Sequence, residues 1–595
     1  MRSIGNDLSA KKQNNFIASG TLANGESVVV NANGTVSTVG LTAVSASDGN
    51  VVVADTNGNT YDFAACYDST NKKVVAFYNR QDDLIGVVGT VTGTSISFGT
   101  PVTVNTSATG NHNALFIPST SATGPNKVVW IGRVGFAVSF VVCEVSGTTL
   151  TFGGLGSLYN NGDSVVATYD PVNDRIIAMF RDKNISNYPV LLMGTISGTS
   201  ITPGSGGVQT LGSFNGNNDR FAITFDTNDQ SIVAMFLGVS YGYPRIRCGK
   251  ISDAATGTMT FGTTTVVSSS AGSVNNQPAL SFDPDQKSIV ISWRGSTSGH
   301  QVVGGSVSSS NITISGTVTT VNNTTTQGMQ LVYDSTAKRT ILWYSRDTSY
   351  GYYRVIRMDG TTAYVGDEVT VLSQSTTGVT RFGLAYDSEQ STSVVFWRKV
   401  SSSNHAAAVP FQIDHFQANL TSENFIGMPE SRVANSAMGT VKTQGAISKN
   451  AFNKGYVITV QSVSGNNKYF IDGVQQDTLT LYRGNTYFFD WSAATTHPFS
   501  FSLTSDNSGN SEYTTGVTKD NSAYTTSITV DSSAPSTLYY YCSAHSGMGG
   551  SATISNVIPG KTYYLQTSGY LTTSAGSPSV VAGTALSTTE LIVKG

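Results

Sequence analysis

Charge is scarce in this chain. Asp, Glu, Lys and Arg make up 12% of its 595 residues, roughly half the usual share, and Gly, Ser and Thr fill the difference. A formal charge of −3 and a pI near 6.1 exclude the broad basic field that binding to DNA or RNA needs. Long apolar runs are missing too. No stretch of about 18 apolar residues occurs, so nothing reads as a membrane-crossing helix. The start, Met1-Arg-Ser-Ile-Gly-Asn-Asp-Leu-Ser-Ala10, shows no apolar segment with a cleavage site. Synthesis in a cytoplasm, without a signal peptide, is the expectation. Cysteine is sparse: the four residues lie far apart, and Cys66, Cys143 and Cys248 fall inside apolar strand-like text. An unpaired cysteine there acts as a small buried hydrophobe, not as part of a disulfide framework.

What the chain has in quantity is a repeat. Asp163-Ser-Val-Val-Ala-Thr-Tyr169-Asp170 and Arg175-Ile-Ile-Ala-Met-Phe180 flank a polar turn, and a third run closes in the hairpin Met193-Gly-Thr-Ile-Ser-Gly198-Thr-Ser-Ile201. The aromatic-Asp pair returns as Tyr67-Asp68, Phe225-Asp226, Phe282-Asp283, Tyr333-Asp334 and Tyr386-Asp387, with Phe116-Ile117-Pro118 as a degenerate copy. That makes seven copies at intervals of about 50 to 57 residues. A period of that size, with about four short strands per unit, marks β-propeller blades, because a lone four-stranded sheet cannot bury both faces. The spacing predicts an all-β chain with a seven-bladed propeller over residues 45–415. The last repeat, from Arg381 to Ile413, lacks a fourth strand, and residues 35–46 are expected to supply it and fasten the ring. Residues 1–44 otherwise read as an arm and a hairpin turning at Asn33-Gly34. The repeated Asp is expected to cap turns; calcium would need several converging carboxylates.

The connections between second and third strands vary more. Two of them read Tyr241-Gly-Tyr243-Pro244-Arg245 and Arg346-Asp-Thr-Ser-Tyr350-Gly-Tyr352. An aromatic ring stacks on a pyranose while guanidinium groups bind its oxygens, so Tyr241, Tyr243, Arg245, Arg346, Tyr350 and Tyr352 are candidate glycan-binding residues. The alternative is that these tyrosines are partly buried loop anchors. A glycosidase would need two or three carboxylates converging in the central channel. Most acids sit in the turns instead, so no catalytic residue is assigned and an enzyme is not expected.

From about Thr421 the repeat stops. Residues 416–452 and 556–595 read as a small β-domain in two pieces, interrupted by residues 453–555. The interruption carries His497-Pro-Phe-Ser-Phe501 and, 45 residues after that histidine, Cys542-Ser-Ala-His545-Ser-Gly-Met548. One thiolate, two imidazoles and a weak thioether form the donor set of a trigonal copper site. Zinc fits less well, since a thioether is a poor zinc ligand. About 100 residues around these motifs resemble the cupredoxins. The resemblance implies a β-sandwich in which His497 and His545 are imidazole ligands, Cys542 is the thiolate and Met548 the axial ligand, with copper as cofactor. No second redox centre is evident, which favours structural stabilisation or ion capture over an electron-transfer chain.

The blade text Val88-Gly-Thr-Val-Thr-Gly-Thr-Ser-Ile-Ser-Phe-Gly99, the insert and the closing Lys594-Gly595 resemble proteins of cyanophages and related marine phages. That resemblance implies a structural virion protein: a tail fibre or appendage adhesin, made in the host cytoplasm, that recognises a host surface glycan or receptor. It implies other virion tail proteins as partners and a homo-oligomer, with no nucleic acid and no membrane insertion. The alternatives are a propeller glycosidase or depolymerase acting on host polysaccharide, and a secreted copper-binding adhesin.

Overall fold

Each aromatic-Asp pair ends the first strand of an antiparallel sheet. In one repeat Gly162–Asp170, Arg175–Asp182, Tyr188–Ser197 and Ser200–Pro203 pair in succession, and Gln209–Thr210 also pairs with the third strand. The first strand stops at Asp170 because its carboxylate accepts the N–H groups of Val172 and Asn173 at 2.9 and 3.1 Å, the bonds that close a polar turn. The turn leaves through Asp174 in the left-handed region, φ 55°. Asp68, Asp226, Asp334 and Asp387 repeat these bonds, and their turns leave through left-handed Lys72, Gln230, Lys338 and Ser391. All five carboxylates are buried. The repeated acid is therefore a folding device, and no carboxylate group within reach of a shared metal occurs among the described residues.

The computed structural model describes residues 13–22, 26–31, 33–107, 110–120, 124–212, 220–237, 243–269, 278–295, 299–321, 326–346, 350–372, 382–400, 404–421, 424–429, 432–443, 445–447, 452–463 and 465–593. No α-helix occurs among them. The chain divides into two units, Ser45–His415 and Met1–Val44 with Phe416–Gly595.

Seven five-stranded sheets of this kind fill Ser45–His415. First strands pack on one another in chain order: Thr60–Asp68, Asn113–Ile117, Gly162–Asp170, Phe221–Asp226, Ala279–Asp283, Thr326–Asp334 and Gly383–Asp387, which packs back on Thr60–Asp68. Apolar side chains fill the seams, as where Val75 and Phe77 of one sheet meet Val128 and Trp130 of the next. The architecture is β-propeller-like. Tyrosines stitch the seams: the Tyr386 hydroxyl donates to Thr336 Oγ1 of the preceding sheet at 2.8 Å, and that of Tyr333 donates to Asp285. Between last and first sheets, the N–H groups of Thr60 and Gly93 donate to Asn404 O at 3.0 Å and Gln390 Oε1 at 2.9 Å.

The closing strand is not the expected one. Phe411 pairs with Asp48, and Ala406 and Ala408 pair with Asp55 and Val52, so Ser47–Asp48 and Val52–Asp55 complete the last sheet in place of residues 35–46. Val36–Thr38 is claimed by a local partner: it pairs with Val28–Val30 across a turn in which Gly34 takes φ 79°, as an Asn-Gly hairpin requires.

In the other unit the N-terminal stretch is not a free arm. Gln13–Ile17 pairs with Met438–Lys442, and Val28–Val30 with Phe425–Pro429, in one five-stranded sheet. A second sheet joins Gly445–Ile447 to Leu591–Val593, Val580–Ala585, Thr562–Leu565 and Leu571–Thr572. The stretch between those flanks folds as two facing sheets. Six strands, including Lys454–Val463, Asn466–Ile471, Thr486–Asp490 and Val517–Asp520, face Leu479–Tyr482, Phe499–Ser502, Thr537–Cys542 and Gly550–Ser555. Tyr469, Phe489, Trp491, Phe499, Phe501 and Tyr540 fill the space between them; each such buried side chain stabilises by about 1.5–3 kcal/mol.

Candidate metal centre

Register brings the donors together. Phe499 pairs with Cys542, so His497, two residues upstream of Phe499, lies just past the strand end beside the turn that follows Cys542. That turn runs from Ser543 to Gly549 and re-enters the sheet where Gly550 pairs with Tyr540. Gly549 is needed there, because a Cβ on it would lie 1.8 Å from Tyr540 O. The result is a cluster of His497, Cys542 and His545 whose donor atoms all lie within 4.8 Å of one another. Cys542 Sγ is 3.8 Å from His497 Nδ1 and 3.6 Å from His545 Nδ1. Metal bonds of about 2.3 Å to sulfur and about 2.0–2.1 Å to nitrogen span about 3.5 to 3.8 Å between the two atoms at tetrahedral to trigonal angles. The cluster fits one ion. Cys542 and Met548 are buried in the same core cluster, His497 is at its margin and His545 is exposed.

Neighbouring groups hold the two donor segments in place. Tyr469 binds both: its N–H donates to Met548 O at 3.0 Å and its hydroxyl to His497 O at 2.7 Å. Asp506 Oδ2 accepts the Gly547 N–H at 2.8 Å, Lys468 Nζ donates to Gly547 O, and Gln476 Nε2 donates to Gly549 O. Such bonds orient a donor loop before any ion arrives. Burial, then the charge of His545, pushes His497 below the usual imidazole range, toward the neutral form that binds metal. Lys519 reaches the same end of the sandwich, donating to Ser500 Oγ at 2.8 Å with Ser543 Oγ at 3.5 Å.

The tyrosine loops fare differently. Tyr241 and the side chain of Arg346 lie outside the described residues. Tyr243 and Arg245 are half-buried at the start of the strand Pro244–Asp253. Tyr350 is 42% exposed, whereas Tyr352 is 6% exposed and stacks on Tyr344 with ring centroids 5.9 Å apart. Tyr352 is thus corrected from ligand to core. Tyr353, on the opposite face, is buried as well, because a sheet packed between two neighbours covers both faces of its inner strand and, of these rings, leaves only Tyr350 at the strand end to solvent.

A different connection carries the polar cluster. Asp163 opens its first strand buried, and three cations converge on it: Arg181 Nη2 at 2.9 Å, Lys183 Nζ at 3.1 Å and Arg133 Nη1, from the preceding sheet, at 3.2 Å. Burial alone would raise this carboxyl, but the hydrogen bond from Lys183 and the charges of Arg133 and Lys183 hold it below the usual carboxylate range. Beside them Phe136, on the connection between second and third strands, is 65% exposed. The signal in the sequence is Gly135-Phe136, an aromatic that follows a glycine in a strand connection.

No protein-family model and no curated protein matches the chain. Among solved structures it is similar to the periplasmic gluconolactonase PpgL of Pseudomonas aeruginosa, at 9% identity and TM-score 0.38, covering 65% of this chain and 100% of that one. It is also similar to AofleA of Arthrobotrys oligospora, at 12% identity and TM-score 0.35, covering 61% and 99%. A Bacteroides fragilis protein described as a 6-phosphogluconolactonase stands at 12% identity and TM-score 0.35, covering 61% and 98%. Two of these three carry the names of lactonases, against the expectation that the chain is not an enzyme; likenesses this distant bear on the fold alone. No helix among the described residues is long and apolar enough to cross a membrane.

Proposed function

We propose that this chain joins a seven-bladed propeller that engages polysaccharide to a cupredoxin-like sandwich that binds copper. The observation that carries the copper reading is the meeting of His497, Cys542 and His545 at ion-binding spacing, with Met548 buried beside them as the candidate fourth donor. Copper held there would supply a thiolate–metal bond that ties two distant segments together, and a one-electron couple. The protein's own part is to favour the neutral form of His497 and to keep the loop from Ser543 to Gly549 fixed. Stoichiometric Cu(II) should produce an intense thiolate-to-copper band in the visible spectrum. Colourless protein after copper addition, with no bound metal on analysis, would rule the site out.

The blade count rests on seven sheets whose first strands meet in an unbroken cycle. For the propeller two readings compete. In keeping with the resemblance of its repeats, the chain serves as a tail fibre or appendage of a phage, a virion component that holds a host surface polysaccharide and assembles with other tail proteins. The second reading is hydrolysis of that polysaccharide, as a glycosidase or depolymerase. It needs a carboxylate free to act as nucleophile or general base, and Asp163 is a weak one, since Arg133, Arg181 and Lys183 take both its oxygens and hold its pKa down. Release of reducing ends from host polysaccharide separates the two: cleavage favours the enzyme, and retention of intact polymer favours the adhesin.

A further inference from the structure

We infer that the surface seam between the second and third sheets of the propeller-like unit is a subsite for an anionic sugar of a polysaccharide. The inference rests on the reading that this unit engages polysaccharide, and it names the class of polymer. Four elements meet there. Gly162 N donates to Phe136 O at 2.9 Å and Lys183 N to Asn161 O at 3.1 Å, which fixes the strand start at residue 162 against the connections at 135–136 and 183–187. Phe136 stands 65% exposed on a turn whose Gly135 takes φ 60°. A ring that large, left to solvent by a rigid scaffold, is a stacking platform for the apolar face of a pyranose.

The polar groups around the ring select charge. Lys183 Nζ lies 4.5 Å from the Phe136 ring centroid and 3.1 Å from Asp163 Oδ2, while its side chain stays 23% exposed. Arg133 keeps 25% of its side chain exposed and binds the other oxygen, Asp163 Oδ1, at 3.2 Å. Asp163 thus anchors two cationic heads, that of Lys183 over one face of the platform, without taking them out of reach of water. A sugar stacked on the other face of Phe136 and carrying a carboxylate or sulfate ester is drawn by both charges. Asn184 completes the rim: it is exposed, and its amide nitrogen is 3.2 Å from the Tyr159 hydroxyl, whose proton goes to Asp182 Oδ2 at 2.8 Å. Amide and hydroxyl groups at that edge suit the neutral hydroxyls of the same sugar.

The test uses the full chain in affinity electrophoresis through gels holding alginate, dextran sulfate or dextran. Wild type should be retarded by alginate, dextran sulfate or both, which separates a carboxylate from a sulfate ester, and not by dextran. The retardation should weaken as salt rises from 50 to 300 mM, about the range over which exposed charges become screened. Phe136→Ala, on a solvent-facing side chain, should weaken binding about fivefold with unchanged thermal unfolding; Lys183→Gln, which also removes an ion pair to Asp163, should weaken binding about fivefold with a lowered melting temperature in a still cooperative transition. Retention by anionic polymers that survives both substitutions would overturn the subsite and leave the wider reading standing. Equal retention by dextran would overturn the anionic class. No retention by any polysaccharide would overturn both the subsite and the reading beneath it.

Discussion

The two units use polar residues in opposite ways. In Ser45–His415 the same Asp occupies the same turn in sheet after sheet, buried, with its oxygens taken by the next backbone N–H groups. In the sandwich the chemically distinctive residues occur once each, and His497, Cys542 and His545 meet at one end of it. Repetition follows what every sheet needs in order to fold. Singular residues that converge from distant segments have no such explanation and point to chemistry. Asp163 obeys the same distinction, since among the described residues none of the turn carboxylates gathers three cations as it does.

That contrast can be broken most sharply at the metal site. Cys542→Ser should abolish the thiolate-to-copper band altogether while leaving the unfolding transition of the sandwich in place, because a single donor carries the colour and the nineteen other residues of its core cluster carry the fold. Survival of the band in the serine variant would assign it to another thiol.

A turn carboxylate should do the reverse. Asp226 is fully buried and accepts the N–H groups of Asn228 and Asp229 at 2.8 and 3.0 Å. Asp226→Ala strands those donors and should cost about 1–3 kcal/mol, read from denaturant unfolding, with copper binding untouched. Asp226→Asn keeps the acceptor and should recover most of the loss. An alanine variant as stable as wild type would remove the structural account of the repeat.

A subtler effect is expected at Lys519, which donates to Ser500 beside the donor segments. Its ammonium disfavours the more positive, oxidised metal, so Lys519→Gln should lower the midpoint potential of bound copper in voltammetry, and Lys519→Arg should restore it. A raised potential in the Gln variant would contradict this.

The smallest effect concerns pH. The folded-state pKa of Asp163 is lowered, so its contribution to stability is present above the unfolded value of about 3.9 and is lost as pH falls through the folded value. Asp226, Asp283, Asp334 and Asp387 are raised, by burial first. Their cost near neutrality is relieved as pH falls through those raised values. The gap in melting temperature between wild type and Asp163→Asn should therefore stay constant above about pH 5 and narrow below about pH 4. A gap independent of pH would show that Asp163 acts only through its shape.

Much of this was legible beforehand. The Asp-opened turns, the Asn33-Gly34 hairpin and the spacing of His497, Cys542 and His545 all express local backbone chemistry, or donor types that have few other uses. The closing strand was not legible. Residues 35–46 and 47–55 are equally strand-like, and the choice was made by the pairing of Val36–Thr38 with Val28–Val30, which competes for the earlier segment. Tyr352 was not legible either: neighbouring sheets bury both faces of its strand, Tyr352 in one core and Tyr353 in the other, and the extent of that cover is set by other repeats. The Asp163 cluster was invisible because Arg133 arrives from another repeat, 30 residues earlier in the chain.

The strand supplied by Ser47–Asp48 and Val52–Asp55 also sets a clock. Asp48 leaves the ribosome roughly 360 residues before its partner Phe411. At about 5–20 residues per second that is an interval of about 20 to 70 seconds. Throughout it the nascent chain carries a strand with no mate, and the edge that will receive it does not yet exist. The sheets can form one after another as they emerge, each resting on the one before, but the cycle stays open until His405–Gln412 is made. A ribosome paused within that interval would therefore hold an open arc of sheets with an unpaired leading strand, the form of this protein most exposed to pairing with a second copy of itself.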